Sequence, residues 1–436
     1  MNKTLLKISN IIIATTLVLV PFYAFLTVWA STFVGHFEII RLWDDVLLFG
    51  LFIAVSVILT NDKKLRTKLV NNLLFKLIIS YVFIFILIGV ISYIFHDVRL
   101  KAFAYSLLVN TRFLVWFIAI WVVSTKDKWL SQNWPKLIYW PLFFVGLFGL
   151  MQFFVLPDNF LAHFGYNATK TYVPIITINQ NTTTIRIQSF LRGTNELGAY
   201  LVVLISVLLG FLIKSWTNNK KYLFLLPLSV IALLLTFSRS AWIGAVVAVV
   251  LVAWLAISDP FYKKLSIYIG IIVVLILLIG FLLFKNNHGI QDAFLHVSST
   301  STAQQTSNAG HESAIKSGLH DLLHEPFGRG PGTAGPSSLY NTPHAYRNSE
   351  SYFLEIGMET GWIGLILFGI INLVLFLELY SRRKDTLAIG LLGALVGLSV
   401  INLFTYGWAD DTISFVFWAL AAIELSRSKI SNNKLA

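Results

Sequence analysis

The 436-residue chain contains no cysteine, and only 12% of its residues are charged. The first absence excludes disulfides and any cysteine-ligated metal, and says nothing about redox compartment. The second argues against a water-exposed surface over most of the chain, because a soluble domain carries about 25% charged residues. No appended soluble domain and no short-period repeat is expected.

What is present is hydrophobic. Apolar residues make up 56% of the sequence and the mean hydropathy is +0.74. Apolar runs near the length of a bilayer span recur from end to end, which predicts an all-α, polytopic membrane protein. The net charge of +12 is then no sign of nucleic-acid binding. Lysines and arginines beside spans follow from insertion topology and anionic lipid.

About twelve spans are expected. They run over 8–30, 42–60, 73–95, 102–123, 136–156, 195–213, 222–237, 239–257, 266–284, 352–379, 387–406 and 411–426. The first, preceded by Lys3 and Lys7, resembles a signal sequence but is long enough to read as an uncleaved span. With both termini in the cytoplasm, the cytoplasmic loops hold roughly 20 Lys and Arg, against roughly 4 in the short outer loops. The expectation is one membrane domain over 1–436, multi-pass in the cell membrane. Two long segments fall outside, 157–194 and 285–350.

That orientation puts all nine histidines on outer segments, with Asp44-Asp45 and Asp410-Asp411. In the longer outer segment, "VSSTSTAQQTSNAG" (297–310) reads as mobile. "HESAIKSGLHDLL" reads as an amphipathic helix ended by Pro326, with Ile315, Leu319, Leu322 and Leu323 on one side. The Gly/Pro-rich turn "FGRGPGTAGP" follows. A helix lying on the membrane beside such a loop is placed to cover a site at the outer leaflet.

Three outer arginines stand near span boundaries: Arg186 and Arg192 in "RIQSFLRGTNELGAYL", beside Asn195, and Arg239 in "FSRSAWIG". A guanidinium meets a diphosphate well, through bidentate hydrogen bonds and a permanent charge. The plainer reading is interfacial snorkelling. Arg112 differs, lying in the middle of the fourth span, where an arginine needs a buried partner or a wet cavity. Structural pairing and ligand binding both stay open for it.

Glu350, Glu355 and Glu359 cluster where the chain re-enters the membrane. One of them beside diphosphate-binding arginines is placed to take a proton from an attacking hydroxyl. The alternative is ordinary acid at a helix N-terminus. His320 and His324 have an i, i+4 spacing but no third ligand pattern, so no metal is expected. "GRGPGT" lacks the Lys-Ser/Thr ending and preceding strand of a nucleotide loop.

Taken in order, "RIQSFLRGTNELGAYL", "LTFSRSAWIG", "PFGRGPGT" and "ESYFLEIGMETGWIG" resemble the O-antigen ligase and polymerase family (Wzy/WaaL-like), over nearly the whole chain. The Ser-Arg-Ser hairpin and the Glu-x-Gly-x-x-Gly ending (Glu359 to Gly364) are specific together and not singly. The resemblance implies an integral-membrane glycosyltransferase that needs neither metal nor cofactor. Its donor would be a glycan on polyprenyl (undecaprenyl) diphosphate, outside the cytoplasmic membrane, and its acceptor a second glycan or a lipid core. Membrane lipid and other polysaccharide-assembly proteins are the further partners implied, and nucleic acid is not.

By motif, Arg239 with Arg186 or Arg192 would bind the diphosphate; Arg112, Asn195 and Glu359 are further substrate-binding candidates. Where ligases carry a histidine followed by Asn, this chain reads Glu350-Ser351. The departure favours a polymerase with Glu350 as base. A ligase and a twelve-span transporter are the alternatives.

Overall fold

The long apolar runs fold as helices, the one way a single segment in lipid can satisfy its own backbone. The computed structural model describes residues 3–178, 185–214, 222–265, 302–342 and 347–427, with Tyr268, Gly270 and Ile272. Its helices, in chain order, are α1 (Lys3–Val34), α2 (Phe37–Asn61), α3 (Lys63–Asn71), α4 (Leu73–Phe95), α5 (Leu100–Lys126), α6 (Trp129–Phe154) and α7 (Thr194–Lys214). They continue with α8 (Leu225–Leu235), α9 (Arg239–Ala256), α10 (Thr302–His324), α11 (Tyr352–Ser381), α12 (Thr386–Ile401) and α13 (Asp411–Ser426). Strands β1 (Ile176–Thr177) and β2 (Ile185–Arg186) pair antiparallel, Ile176 opposite Arg186.

Eight helices among the described residues are long and apolar enough to cross a membrane: α1, α2, α4, α5, α6, α7, α9 and α11. Helices α8, α12 and α13 occupy three more of the twelve expected spans but have only 11, 16 and 16 residues. At 1.5 Å per residue they fall short of a ~30 Å hydrocarbon core. The expected ninth span, 266–284, lies outside the described residues except for Tyr268, Gly270 and Ile272, as do 285–301 and His344.

The buried centre is built on α13, whose residues from Asp411 to Glu424 are all buried. Helix α5 lies along it, with Trp116 Nε1 donating to the Phe415 carbonyl at 3.0 Å and the two rings stacked 5.2 Å apart. Helix α12 packs closely on α7 and α9. A Cβ on Gly210 would lie 3.0 Å from the Gly390 nitrogen, and one on Gly397 only 2.8 Å from the Gly244 carbonyl. Small residues at these crossings let backbones touch, which is where packing energy between membrane helices comes from. The outward faces of α2, α4 and α11 expose Phe49, Phe52, Phe83, Ile366 and Leu373, an apolar belt suited to lipid.

Polar contacts mark the two ends of the bundle. At one end Asp62 pairs with Lys126, Asn10 donates to Asp127 at 2.6 Å, and Arg427 pairs with Asp385 at 3.5 Å. At the other, Tyr23 donates to the Arg41 carbonyl, the Arg99 amide donates to Asn341, and the Tyr352 amide donates to the Asn402 carbonyl.

Helix α10 starts at Thr302, so the stretch expected to be mobile is helical from there on. Ala303, Gln304 and Gln305 are good helix formers, and no proline lies between Thr302 and Pro326. Its apolar side is used unevenly. Leu322 is buried against Gly357 of α11, whereas Leu319 and Leu323 are exposed.

Candidate active site

The hairpin carrying Arg239 is held open by one strained residue. Helix α8 ends at Leu235, and Phe237 takes a left-handed conformation, φ +49°, unusual for an aromatic residue. Ser238 then starts α9 without a side-chain cap, and Arg239 is the first helical residue, exposed. The positive end of α9 therefore lies beside the guanidinium, an arrangement that favours an anion.

The segment before α7 joins this tip. The Ile187 amide donates to the Leu235 carbonyl at 3.2 Å, extending the edge of β2 onto the end of α8. Arg186 Nε donates to the Thr236 carbonyl at 3.0 Å, and its Nη2 to Asn195 Oδ1 at 3.2 Å. Arg186, Asn195, Ser238, Arg239, Ser240 and Ile315 line one cavity of about 400 Å³. Among the described residues, no acidic side chain lines it. Burial pushes the Arg186 guanidinium down to about 10; Glu196 opposes the fall and Arg239 adds to it. Two like charges facing one cavity repel, and an anion between them removes the repulsion.

Arg192 faces a second cavity, of about 160 Å³, with Tyr105, Asn110, Glu196, Glu355, Tyr406 and Asp410 among its walls. Its Nη2 donates to Asp411 Oδ2 at 2.6 Å, and its guanidinium lies over the Tyr23 ring at 4.9 Å. Arg112 is buried and pairs with Asp45 at 3.2 Å and with Asp411. Asp411 thus bridges two guanidiniums, and the partner that Arg112 requires is a pair of aspartates. Of the three arginines near span ends, then, Arg186 and Arg239 share a cavity and Arg192 lines the adjoining one.

Glu359, a candidate for substrate binding, is fully buried, and its carboxylate is taken up by internal donors. It accepts from the Gly332 amide at 2.7 Å, Ser337 Oγ at 3.0 Å and Ser106 Oγ at 2.5 Å. These bonds pin the Gly/Pro-rich loop into a break in α11. Gly361 has φ +66°, and the loop caps the backbone groups the break frees: the Trp362 amide donates to the Pro326 carbonyl, and the Gly330 amide to the Glu359 carbonyl. A Cβ at 361 would collide with the Pro326 carbonyl, so only glycine fits.

Glu350 also has a left-handed backbone, φ +55°, which costs a non-glycine residue roughly 1–3 kcal/mol. Its amide donates to Asn348 Oδ1 and to the Tyr406 hydroxyl, each at 2.9 Å, and its Oε1 accepts from Asn348 at 3.0 Å. Burial pushes the Tyr406 phenol well above its usual value, so it acts here as a neutral hydrogen-bonding group. Glu350 lines neither cavity, but Tyr406, bonded to its amide, lines the second.

His320 and His324 stack ring on ring at 4.0 Å, and His324 Nδ1 bonds the His320 carbonyl. Among the described residues, no group of three His, Asp or Glu side chains converges as a metal site. The sequence reading gave no role to Tyr105, Asn110, Glu196, Tyr406, Asp410 or Asp411. The acidic pair opening α13 was a signal; the tyrosines and Asn110 offered none.

The fold defines a polytopic helical membrane protein with an arginine-lined cavity at one end. Residues 223–369 match the family model described as O-antigen ligase, so this third of the chain is similar to that family. The match includes Arg239, Glu350, Glu355 and Glu359, while Arg112, Arg186, Arg192 and Asn195 lie before it. No curated protein matches the chain.

Proposed function

We infer that the protein polymerises polysaccharide repeat units carried on polyprenyl diphosphate, at the outer face of the cytoplasmic membrane. The observation that carries this reading is the Arg186–Arg239 pair around a cavity at a helix N-terminus, with no acidic side chain among its described lining residues. In this reading the pair binds the donor diphosphate. The acceptor sugar hydroxyl attacks the donor's anomeric carbon, a new glycosidic bond forms, and the bond from that carbon to the diphosphate oxygen breaks. The hydroxyl proton passes to the Glu350 carboxylate. The arginines stabilise charge growing on the leaving diphosphate. No metal has a part in this scheme.

The orientation supported by loop charge puts both termini in the cytoplasm and this cavity outside. Arg112 and Arg192, engaged by Asp45 and Asp411, then brace the site rather than bind diphosphate. Ile315 of α10 lines the arginine cavity, which supports a covering role for the amphipathic helix.

A ligase that moves finished glycan to an acceptor is the second reading, since the family match covers both activities. The substitution of Glu350-Ser351 for the ligase His-Asn pair is what favours the polymerase. Deleting the protein and sizing the lipid-linked glycan decides. Single repeat units left on the carrier support polymerisation, and long chains left on the carrier support ligation. Transport of lipid-linked sugar in liposomes without chain growth would sink both.

A further inference from the structure

The second cavity is separate from the arginine pair yet adjoins it. Asn195 lines the first cavity and Glu196 the second; Thr405 lines the first and Tyr406 the second. Consecutive Cα atoms are ~3.8 Å apart, so two stretches of chain form a wall one residue thick between the cavities.

The lining of the second cavity is unusual for a protein interior. Glu355 is 2% exposed and Asn110 is fully buried. Yet Glu355 Oε2, Asn110 Oδ1 and Arg192 Nε make no hydrogen bond to any described residue. A buried polar atom left without a hydrogen bond is costly, and the residues that carry these three atoms line one cavity, with Asp410 Oδ2 3.9 Å from Arg192 Nε. A single water requires ~10–15 Å³, so about 160 Å³ is an order of magnitude too large for one bridging water. The three atoms offer two acceptors and one donor, with the Tyr105 and Tyr406 side chains and the Ser337 hydroxyl beside them. That set matches a ring carrying several hydroxyls.

We propose that this cavity is a monosaccharide subsite, which holds the sugar attached to the diphosphate in the neighbouring cavity through hydroxyl contacts to Glu355, Asn110 and Arg192. The proposal rests on the diphosphate reading for its placement, and on the convergent buried polar atoms for its chemistry. A sugar one bond from a diphosphate between Arg186 and Arg239 would reach past the Asn195–Glu196 wall. It would lie against Tyr406, whose hydroxyl bonds the Glu350 amide. Glu355 and Asn110 are binding residues in this account and take no proton.

The test uses the full-length protein in nanodiscs. The probes are farnesyl diphosphate and farnesyl-diphosphate-linked monosaccharides of gluco, galacto, rhamno and N-acetylgluco configuration, with the matching methyl glycosides. At least one sugar-bearing probe is expected to bind about tenfold or more tighter than farnesyl diphosphate. Glu355→Gln and Asn110→Ala should each remove that increment while keeping farnesyl diphosphate affinity within about twofold, which also shows that the variants are folded. The proposal is overturned if no sugar improves on farnesyl diphosphate, or if both variants keep the increment. Should farnesyl diphosphate fail to bind while a methyl glycoside binds through Glu355, the diphosphate reading falls and the sugar subsite stands.

Discussion

Arg186 donates from Nε to the Thr236 carbonyl at 3.0 Å, three residues before Arg239. One hydrogen bond therefore couples the segment ahead of α7 to the tip of the α8–α9 hairpin, and the two guanidiniums share a cavity that neither segment forms alone. The consequences of this arrangement can be measured.

Arg239→Ala and Arg186→Ala should each cut polymer formation by about 10²–10³-fold, the usual loss when one preorganised donor to developing charge is removed. Both proteins should still insert. The double variant should lose little more than the worse single one, because in the proposed scheme the two act on one diphosphate as a unit. Arg239→Lys should recover only part of the activity, since lysine keeps the charge and lacks the planar fork. Chain-length analysis of surface glycan checks this, and normal chains in both alanine variants would remove the assignment.

Glu350 combines a proposed chemical role with a strained backbone, which separates activity from stability. Glu350→Gly should relieve the φ +55° strain and leave thermal stability unchanged or raised by up to ~1 kcal/mol, while abolishing polymer. Glu350→Gln should lower turnover by about 10²–10⁴-fold with little effect on donor affinity. Turnover kinetics with lipid-linked repeat units, paired with a melting curve, tests both.

Glu359 and Gly361 should behave as structural residues. Glu359→Ala would strand the Gly332 amide and the Ser106 hydroxyl in a buried space, at ~1–3 kcal/mol for each donor left without a partner, while Ser337 keeps the Ala334 carbonyl. Gly361→Ala would drive a Cβ into the Pro326 carbonyl at a positive φ. Each should lower membrane abundance and melting temperature. If Glu359→Ala keeps wild-type abundance but loses donor binding, the structural role is wrong.

Asp411 bridges the buried Arg112 and the Arg192 guanidinium, so its loss leaves buried positive charge uncompensated. Asp411→Ala should cost about 3–5 kcal/mol. Asp62→Ala, at the more exposed pair with Lys126, should cost much less. Comparing detergent-extracted protein yield and melting temperature for the two variants is sufficient.

Much of the architecture was legible in the sequence because bilayer insertion is read locally. Each apolar run declares a helix by its own length, and most expected spans match observed helices to within a few residues. The limits of that reading show at α8, α12 and α13. Hydropathy alone marks them as spans, but their helices are short and two of them lie deep among the others. At the site, "TFSRSAW" pointed to a hairpin tip with an arginine on it, and the tip is there. Glu359 was misleading because an acid at a re-entry helix looks the same whether it faces substrate or a loop.

The sequence alone determined the class of protein, the helical segments, and the positions of the arginines near span ends. These depend on composition and on spacing within a single helix. Only the tertiary structure decided that Arg186 and not Arg192 shares a cavity with Arg239, that Arg112 is paired, and that Glu359 is consumed internally. Those outcomes are set by contacts such as Ser106 with Glu359, 253 residues apart, and Arg192 with Asp411, 219 residues apart. Such partners meet only when helices pack, and helix packing depends on shape and small residues at crossings rather than on the hydropathy that places each span.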